Sequence, residues 1–205
     1  MRSVSKNTVA FFGALLAWFA VITQFVLMLI NRITDVGETI IRFFSFFTIL
    51  TNLLVALYFT AIFIKKSTNS LNAGTLTAIT VYITIVGLVY QVVLREIWEP
   101  TGLQRFVDEL LHSVIPTVVI LFWWTYENKN KVLWKSIPSW LLYPLCYLIY
   151  ILVRGNVSNF YPYPFVNVTS IGIKTVLTNS VFLLFFFIIM AIIFVGLGKW
   201  KMINK

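Results

Sequence analysis

The sequence predicts an all-α integral membrane protein, a bundle of six transmembrane helices that forms a single domain over residues 1–205. Of its 205 residues 60% are hydrophobic and only 11% are charged, and the mean hydropathy is +0.90. Soluble domains contain about 25% charged residues, so this chain lacks the polar residues that a water-facing surface needs. Six apolar segments have about the 20-residue length that spans a bilayer. These segments are 8–30, 41–64, 73–94, 105–124, 137–153 and 170–197.

The first and fifth segments need separate justification. Arg2 and Lys6 precede segment 8–30, as bases precede a signal peptide. However, the run is long enough to span and no small-residue cleavage site follows it, so we expect a retained helix. Segment 137–153 is short, and we expect Pro144 to kink it because proline removes an intrahelical hydrogen bond. The connections between segments are short, which predicts that consecutive helices run antiparallel.

The distribution of basic residues predicts the orientation of the bundle. With six spans, both termini and the loops 65–72 and 125–136 share one side of the membrane. Cytoplasmic loops are enriched in Lys and Arg, and this side has ten of the 16 bases, so both termini are predicted to be cytoplasmic. The ten bases are Arg2, Lys6, Lys65, Lys66, Lys129, Lys131, Lys135, Lys199, Lys201 and Lys205. The other side has Arg32, Arg42, Arg95, Arg105, Arg154 and Lys174.

Residue usage excludes several classes of function. The net charge of +9 follows from the orientation bias, so we predict no nucleic-acid partner. The single cysteine, Cys146, excludes an internal disulfide, and the single histidine, His112, excludes bis-histidine haem ligation. The sequence has neither a zinc-ligand spacing nor a glycine-rich phosphate loop, and it lacks the Gly-x-Ser-x-Gly motif of soluble esterases. We therefore expect neither a metal nor a cofactor.

Two apolar segments have polar groups at a similar depth from the same side of the membrane. Thr48 lies about 9 Å along a helix from Arg42, and His112 lies about 10 Å from Arg105. A polar group inside a bilayer costs free energy unless a partner or a function compensates, so such groups are functional-site hypotheses. Equal depth would allow the hydroxyl of Thr48 to meet the imidazole of His112.

Each of these polar groups also has a purely structural interpretation. A buried threonine in a membrane helix usually bonds the carbonyl one turn back. Asn52 shares the face of Thr48, where its amide would orient the hydroxyl, donate to an oxyanion or, in the structural interpretation, cross-link two helices. Asp108 and Glu109 both lie within reach of His112 along one helix face, and a carboxylate on one ring nitrogen would leave the other nitrogen as a base. For Glu109 we favour a solvated residue near the headgroups, and for Asp108 both interpretations stay open.

Two further segments have residues that are expected at the same depth as Thr48 and His112. The sequence Thr-Ile-Leu-Thr-Asn at residues 48–52 is echoed by Thr-Val-Leu-Thr-Asn at residues 175–179, either as a repeat or by chance. The echo predicts a ring of polar residues at one depth, made of Thr48, Thr51, Asn52, His112, Thr175, Thr178 and Asn179. The aromatic and proline-rich loop 159–165 favours an interfacial anchor. The alternative is a lid over the ring with a tyrosine hydroxyl pointing inward.

Several of these residues together resemble a known family. Phe-Phe-Thr-Ile-Leu-Thr-Asn at 46–52, His112, Tyr-Pro-Phe at 163–165 and Thr175 with Asn179 are similar to the androgen-induced-gene-product family of six-span membrane proteins, in its bacterial branch. The likeness covers nearly the whole chain in order and spacing. Animal members are threonine hydrolases that cleave fatty acid esters of hydroxy fatty acids. The resemblance implies Thr48 as nucleophile, His112 as general base and a location in the bacterial cell membrane.

The sequence thus predicts an intramembrane hydrolase whose partners are a lipid ester substrate and membrane lipids. The supporting or oxyanion-binding residues are expected to be Asn52, Asp108, Asn179, Thr175 and Tyr163. The main alternative is a non-enzymatic lipid-binding or transport protein in which the polar ring holds a headgroup. A purely structural bundle whose polar layer joins the helices is the third interpretation.

Overall fold

The computed structural model describes residues 5–65 and 74–203, and this part of the chain is helical, with short turns and no strands. Arg2, Lys66 and Lys205, three of the bases counted in the charge bias, lie outside the described residues. The helices are α1 (Lys6–Ile30), α2 (Val36–Phe43), α3 (Phe47–Lys65), α4 (Thr75–Val89), α5 (Gly102–Glu109), α6 (Ile115–Tyr126), α7 (Ile137–Trp140), α8 (Leu142–Ser158) and α9 (Val168–Ile203).

Six helices within the described ranges are long and apolar enough to cross a membrane, which confirms the all-α, six-helix prediction. Two of them contain a π-helical turn: Tyr90–Leu94 continues α4, and Leu110–Val114 joins α5 to α6. The six are Lys6–Ile30, Phe47–Ile64, Thr75–Leu94, Gly102–Tyr126, Trp134–Ser158 and Val168–Ile203. A multi-pass membrane protein fits this architecture.

Close helix packing puts α4 at the centre of the bundle. Residues 76–87 of α4 are all buried, and the helix packs against α3, α6 and α9. On one side α1 packs on α3, where Ala10, Ala14 and Ala17 are buried and a β-carbon on Gly13 would lie 2.8 Å from the ring of Phe59. Small residues allow two helix backbones to approach in this way, which is typical of helix contacts in membranes.

The structure corrects the predicted segment 41–64, because the chain breaks between α2 and α3. The hydroxyl of Ser45 donates to the carbonyl of Ile41 at 2.7 Å, and the N–H of Ser45 bonds the carbonyl of Arg42 in a tight turn. Serine side chains compete with helical hydrogen bonds in this way, so the helix restarts at Phe47. As a result Thr48 lies in the first turn of α3, not two turns inside a continuous helix.

Pro144 also differs from its predicted role as a kink in segment 137–153. The helix is interrupted earlier, at Leu141, and Pro144 lies in the first turn of α8. A proline is tolerated in the first turn because the N–H that it lacks would have no partner there. The whole span Trp134–Ser158 is also longer than predicted.

Candidate functional site

Thr48 and His112 are in contact, as their similar depth in the sequence allows. The hydroxyl oxygen of Thr48 lies 3.3 Å from Nε2 of His112 and 3.3 Å from the hydroxyl of Tyr163. Thr48 and His112 are each only 8% exposed, and Tyr163 is 9% exposed. Three elements therefore bring a hydroxyl, an imidazole and a phenol together at one buried point: α3, the π-helical turn 110–114 and the loop before α9.

The position of Thr48 in the first turn of α3 explains why its side chain is available. The first N–H groups of a helix have no partner inside the helix, and the N–H of Thr48 donates to the hydroxyl of Tyr163 at 3.2 Å. The chain four residues earlier, at Phe44, is not part of α3, so no helical carbonyl stands behind the threonine hydroxyl. The usual structural bond of a membrane threonine is thus absent among the described residues, and the hydroxyl faces His112 and Tyr163 instead.

The hydrogen bonding of His112 fixes which ring nitrogen is free. Nδ1 lies 2.9 Å from the backbone carbonyl of Asp108. A carbonyl oxygen only accepts hydrogen bonds, so Nδ1 has the proton and Nε2 of the neutral ring is left to accept one from Thr48. The ring is held by Tyr90, which stacks on it with centroids 4.1 Å apart and planes 14° apart. The π-helical turn itself approaches α4 at Gly87, where a β-carbon would lie 2.9 Å from the carbonyl oxygen of His112.

The two acidic residues near His112 take different roles, and Glu109 does not contact the imidazole. Oδ1 of Asp108 lies 3.4 Å from Nδ1 of His112, and its Oδ2 is buried without a hydrogen-bond partner among the described residues. Glu109 instead bonds Arg95 and accepts from the hydroxyl of Ser113 at 2.6 Å. Asp108 is therefore the acid that supports the histidine, mainly through its backbone carbonyl and with its carboxylate nearby.

Asn52 and Asn179 both bond backbone carbonyls: Asn52 uses both of its amide hydrogens in this way, and Asn179 uses one of its two. The side-chain nitrogen of Asn52 donates to the carbonyl of Thr48 at 2.9 Å and to that of Leu111 at 3.3 Å. This bond links α3 to the π-helical turn that holds the histidine, as in the structural interpretation of Asn52. The side-chain nitrogen of Asn179 donates to the carbonyl of Phe165 at 3.0 Å and fixes the loop before α9.

The loop before α9 covers the site, as in the lid interpretation of segment 159–165 and unlike the favoured interpretation as an interfacial anchor. Tyr163 is buried, and its hydroxyl contacts the hydroxyl of Thr48. Its ring stacks on that of Phe165 with centroids 5.2 Å apart. Burial raises the pKa of the Tyr163 hydroxyl above its usual value, so the phenol stays protonated and can donate a hydrogen bond.

The predicted polar ring is incomplete, because the segment 175–179 is placed differently from 48–52. Thr175 and Thr178 are exposed on the outer surface of α9, and Thr178 bonds the carbonyl of Lys174 one turn back. Thr51 is buried, and its hydroxyl lies 3.3 Å from that of Tyr143. Thr175 is therefore not part of the site.

Two cavities meet at Thr48 and Tyr163. The larger has a volume of about 570 Å³ and is lined by residues of α1, α2, α3, the π-helical turns and the loop before α9, including His112 and Asp108. The smaller, of about 100 Å³, lies between α4, α8 and α9 and is lined almost entirely by apolar side chains such as Leu148 and Leu184. Thr48 thus lines a cavity on each of two sides.

Sequence reasoning missed the residues that hold the site from other segments. Tyr90 stacks on His112, and Tyr147 donates from its hydroxyl to the carbonyl of Ser45 at 2.8 Å, at the break before α3. Nothing in the spacing of these tyrosines distinguishes them from interfacial aromatic residues. Their roles depend on helix packing, which periodicity does not encode.

Comparison of the chain with protein-family models, curated proteins and solved structures gave no match. Within residues 5–65 and 74–203, no group of three or more His, Cys, Asp or Glu side chains could hold a metal ion. The chemistry of the site therefore depends on the contacts of Thr48, His112 and Tyr163.

Proposed function

We propose that the protein is an intramembrane hydrolase of lipid esters, of the fatty acid ester of hydroxy fatty acid type, with Thr48 as nucleophile and His112 as base. The observation that carries the proposal is the 3.3 Å contact between the Thr48 hydroxyl and Nε2 of a histidine whose Nδ1 is bonded to a carbonyl. A hydroxyl paired with an oriented base is the common arrangement of activated nucleophiles. The resemblance to the androgen-induced-gene-product family supports the same pair of residues.

In the proposed mechanism, Nε2 of His112 takes the proton of Thr48 as the threonine oxygen attacks the ester carbonyl. The tetrahedral intermediate collapses when His112 returns this proton to the departing alkoxide, which leaves an acyl-threonine. Water then attacks the acyl-threonine, again losing a proton to His112, and the carboxylic acid leaves with the threonine hydroxyl restored. Each proton removed by the histidine is returned in the same half-reaction.

Tyr163 is the residue that we propose to stabilise the oxyanion. Its hydroxyl oxygen accepts the N–H of Thr48. Because the Thr48 hydroxyl donates to His112, the phenol donates to the Thr48 oxygen in their 3.3 Å contact, and this proton can move to a negative oxygen formed next to the Thr48 side chain. Asn52 and Asn179, the amides predicted for this role, are bonded to backbone carbonyls. An oxyanion donor of this kind typically contributes about 3–4 kcal/mol to transition-state binding.

The orientation of the protein in the membrane is part of the proposal. The excess of bases on one side, ten against six, supports an orientation with both termini in the cytoplasm. The resemblance to the bacterial branch of the family supports a location in the bacterial cell membrane. Thr48 and His112 then lie below the outer surface of the bilayer, in a cavity that is also lined by residues 31–34 and 97–98 of the connections on that side. Lipid esters beneath the headgroups and water from the outer surface would both reach this depth.

Turnover by the purified protein tests the proposed function. In detergent micelles, we expect release of free fatty acid from a fatty acid ester of a hydroxy fatty acid, measured by mass spectrometry against time. The rate should be proportional to protein concentration and should fall to background after treatment with a long-chain fluorophosphonate. Stoichiometric binding of the intact ester without any release of acid would favour a lipid-binding or transport protein instead.

A further inference from the structure

The larger cavity changes in polarity from its exposed mouth to its buried inner end. At the mouth, Arg32 and Ile33 are exposed, whereas Asp108 and His112 at the inner end are 6% and 8% exposed. The charged side chains that line the described cavity are Arg32, Arg42 and Asp108. The cationic groups lie toward the mouth, and the carboxylate lies beside the histidine.

Arg42 is held in place at this cavity, and part of its guanidinium group makes no hydrogen bond to the described residues. Its Nε donates to Glu38 at 2.8 Å, and its guanidinium lies 4.5 Å from the ring centroid of Phe160. Its two terminal nitrogens have no hydrogen-bond partner among the described residues. Glu38 also accepts from Arg154 at 2.8 Å, so one carboxylate is shared between two guanidinium groups and a positive charge is left over.

Glu38 stays negatively charged, so it continues to bind both Arg42 and Arg154. Hydrogen bonds from Arg42 and Arg154 lower the pKa of the Glu38 carboxyl, so it is ionised at neutral pH. Because Glu38 occupies only Nε of Arg42, the planar pair of terminal nitrogens is free to bind an anion. Arginine binds carboxylate and phosphate groups with two parallel hydrogen bonds in this geometry.

The smaller cavity, on the other side of Thr48, is apolar, whereas the lining of the larger cavity includes charged side chains. The walls of the smaller cavity are apolar side chains of α4, α8 and α9, and they include Leu145, which is 37% exposed on the outer face of α8. In a bilayer, the part of the smaller cavity next to Leu145 would face lipid tails. A bound lipid ester with its carbonyl at Thr48 can therefore place an alkyl chain in the smaller cavity and the rest of the molecule in the larger one.

We propose that Arg42 determines substrate specificity by binding an ionised end group, carboxylate or phosphate, of the lipid ester. This inference rests on the proposed function for the position of the ester carbonyl. The anion at the mouth, the ester at Thr48 and an alkyl chain in the smaller cavity set the direction in which the substrate binds. Neutral esters such as triacylglycerols have no group for this site.

Equilibrium binding of lipids in which the ester at Thr48 is replaced by an ether tests this assignment without depending on turnover of that group. The ligands are an ether analogue of a fatty acid ester that ends in a free carboxylate, its methyl ester, and an analogue that ends in a phosphate monoester. We expect the wild-type protein in detergent micelles to bind one of the anionic lipids at least about tenfold more tightly than the methyl ester, as a charge-assisted hydrogen bond implies. The stronger of the two anions distinguishes a free fatty acid end from a phospholipid headgroup.

Two variants and a matched control assign the preference to Arg42. Arg42→Gln is expected to bind the acid and the methyl ester equally, and Arg42→Lys to fall between, because lysine keeps the charge without the planar pair of nitrogens. Arg105→Gln removes the same charge from an exposed residue outside the cavity lining and should keep the wild-type preference.

The outcomes separate this inference from the proposed function. Equal binding of the acid, phosphate and methyl ester by the wild-type protein would overturn the role of Arg42, even if Arg42→Gln failed to fold. A preference that survives in a folded Arg42→Gln protein would overturn it too. If the preference behaves as expected but the protein releases no acid from any ester, the anion site stands and the hydrolase proposal fails.

Discussion

Replacement of Thr48 by alanine is expected to lower ester hydrolysis by at least about 1000-fold, because loss of a nucleophile leaves only binding and residual polarisation of the substrate. The fold should survive, since the hydroxyl of Thr48 contacts only His112 and Tyr163 within the described part of the chain. The measurement is the initial rate of acid release in micelles, with thermal unfolding followed in the same samples.

Two controls make the Thr48 result specific. Thr51→Ala also removes a threonine hydroxyl, from a fully buried residue three positions later whose hydroxyl contacts that of Tyr143. The hydrolysis rate of this variant should stay within about threefold of wild type, because only a hydrogen bond outside the site is lost. Thr48→Ser keeps a primary hydroxyl and should retain measurable turnover. Equal rates for Thr48→Ala and wild type would remove the nucleophile assignment.

Replacement of His112 by alanine is expected to reduce turnover by about 100- to 10,000-fold, the usual contribution of a general base. Because the imidazole borders a cavity of about 570 Å³, added imidazole should enter the space left by the side chain and restore part of the rate. The measurement is the rate of acid release by His112→Ala as a function of imidazole concentration.

A structural role for His112 gives a different pattern. In that case His112→Ala would lower the unfolding temperature, and imidazole would leave the rate unchanged. The matched control is Ser113→Ala on the same π-helical turn, whose hydroxyl donates to Glu109. This variant should keep near wild-type turnover, so a loss equal to that of His112→Ala would show that the turn, and not the imidazole, is required.

The helices and the Thr48–His112 pair were predictable from sequence because both depend on the cost of burying groups in a bilayer. Apolar length alone identifies a span, since a helix must satisfy every backbone hydrogen bond in the membrane. A hydroxyl and an imidazole at equal depth likewise cost free energy without partners, so the sequence indicates that these two groups can pair.

The details of the site depend on contacts between distant segments, which apolar periodicity does not record. The break at Ser45 follows from one side-chain hydrogen bond, and it decides that Thr48 has no helical carbonyl behind it. The echo at 175–179 shares residue types with 48–52, yet the rotation of α9 leaves Thr175 on the outer surface. Tyr163 enters the site only because the loop before α9 folds inward and Asn179 holds it there.

The most direct test of the account is the site of covalent reaction with a long-chain fluorophosphonate. Attack by the nucleophilic oxygen on phosphorus breaks the P–F bond, releases fluoride and leaves a stable phosphonyl ester on the protein. We predict one adduct per chain, located on Thr48 by peptide mass spectrometry, and no adduct in either Thr48→Ala or His112→Ala. An adduct on any other residue, or full labelling of the Thr48→Ala protein, would contradict the proposed mechanism.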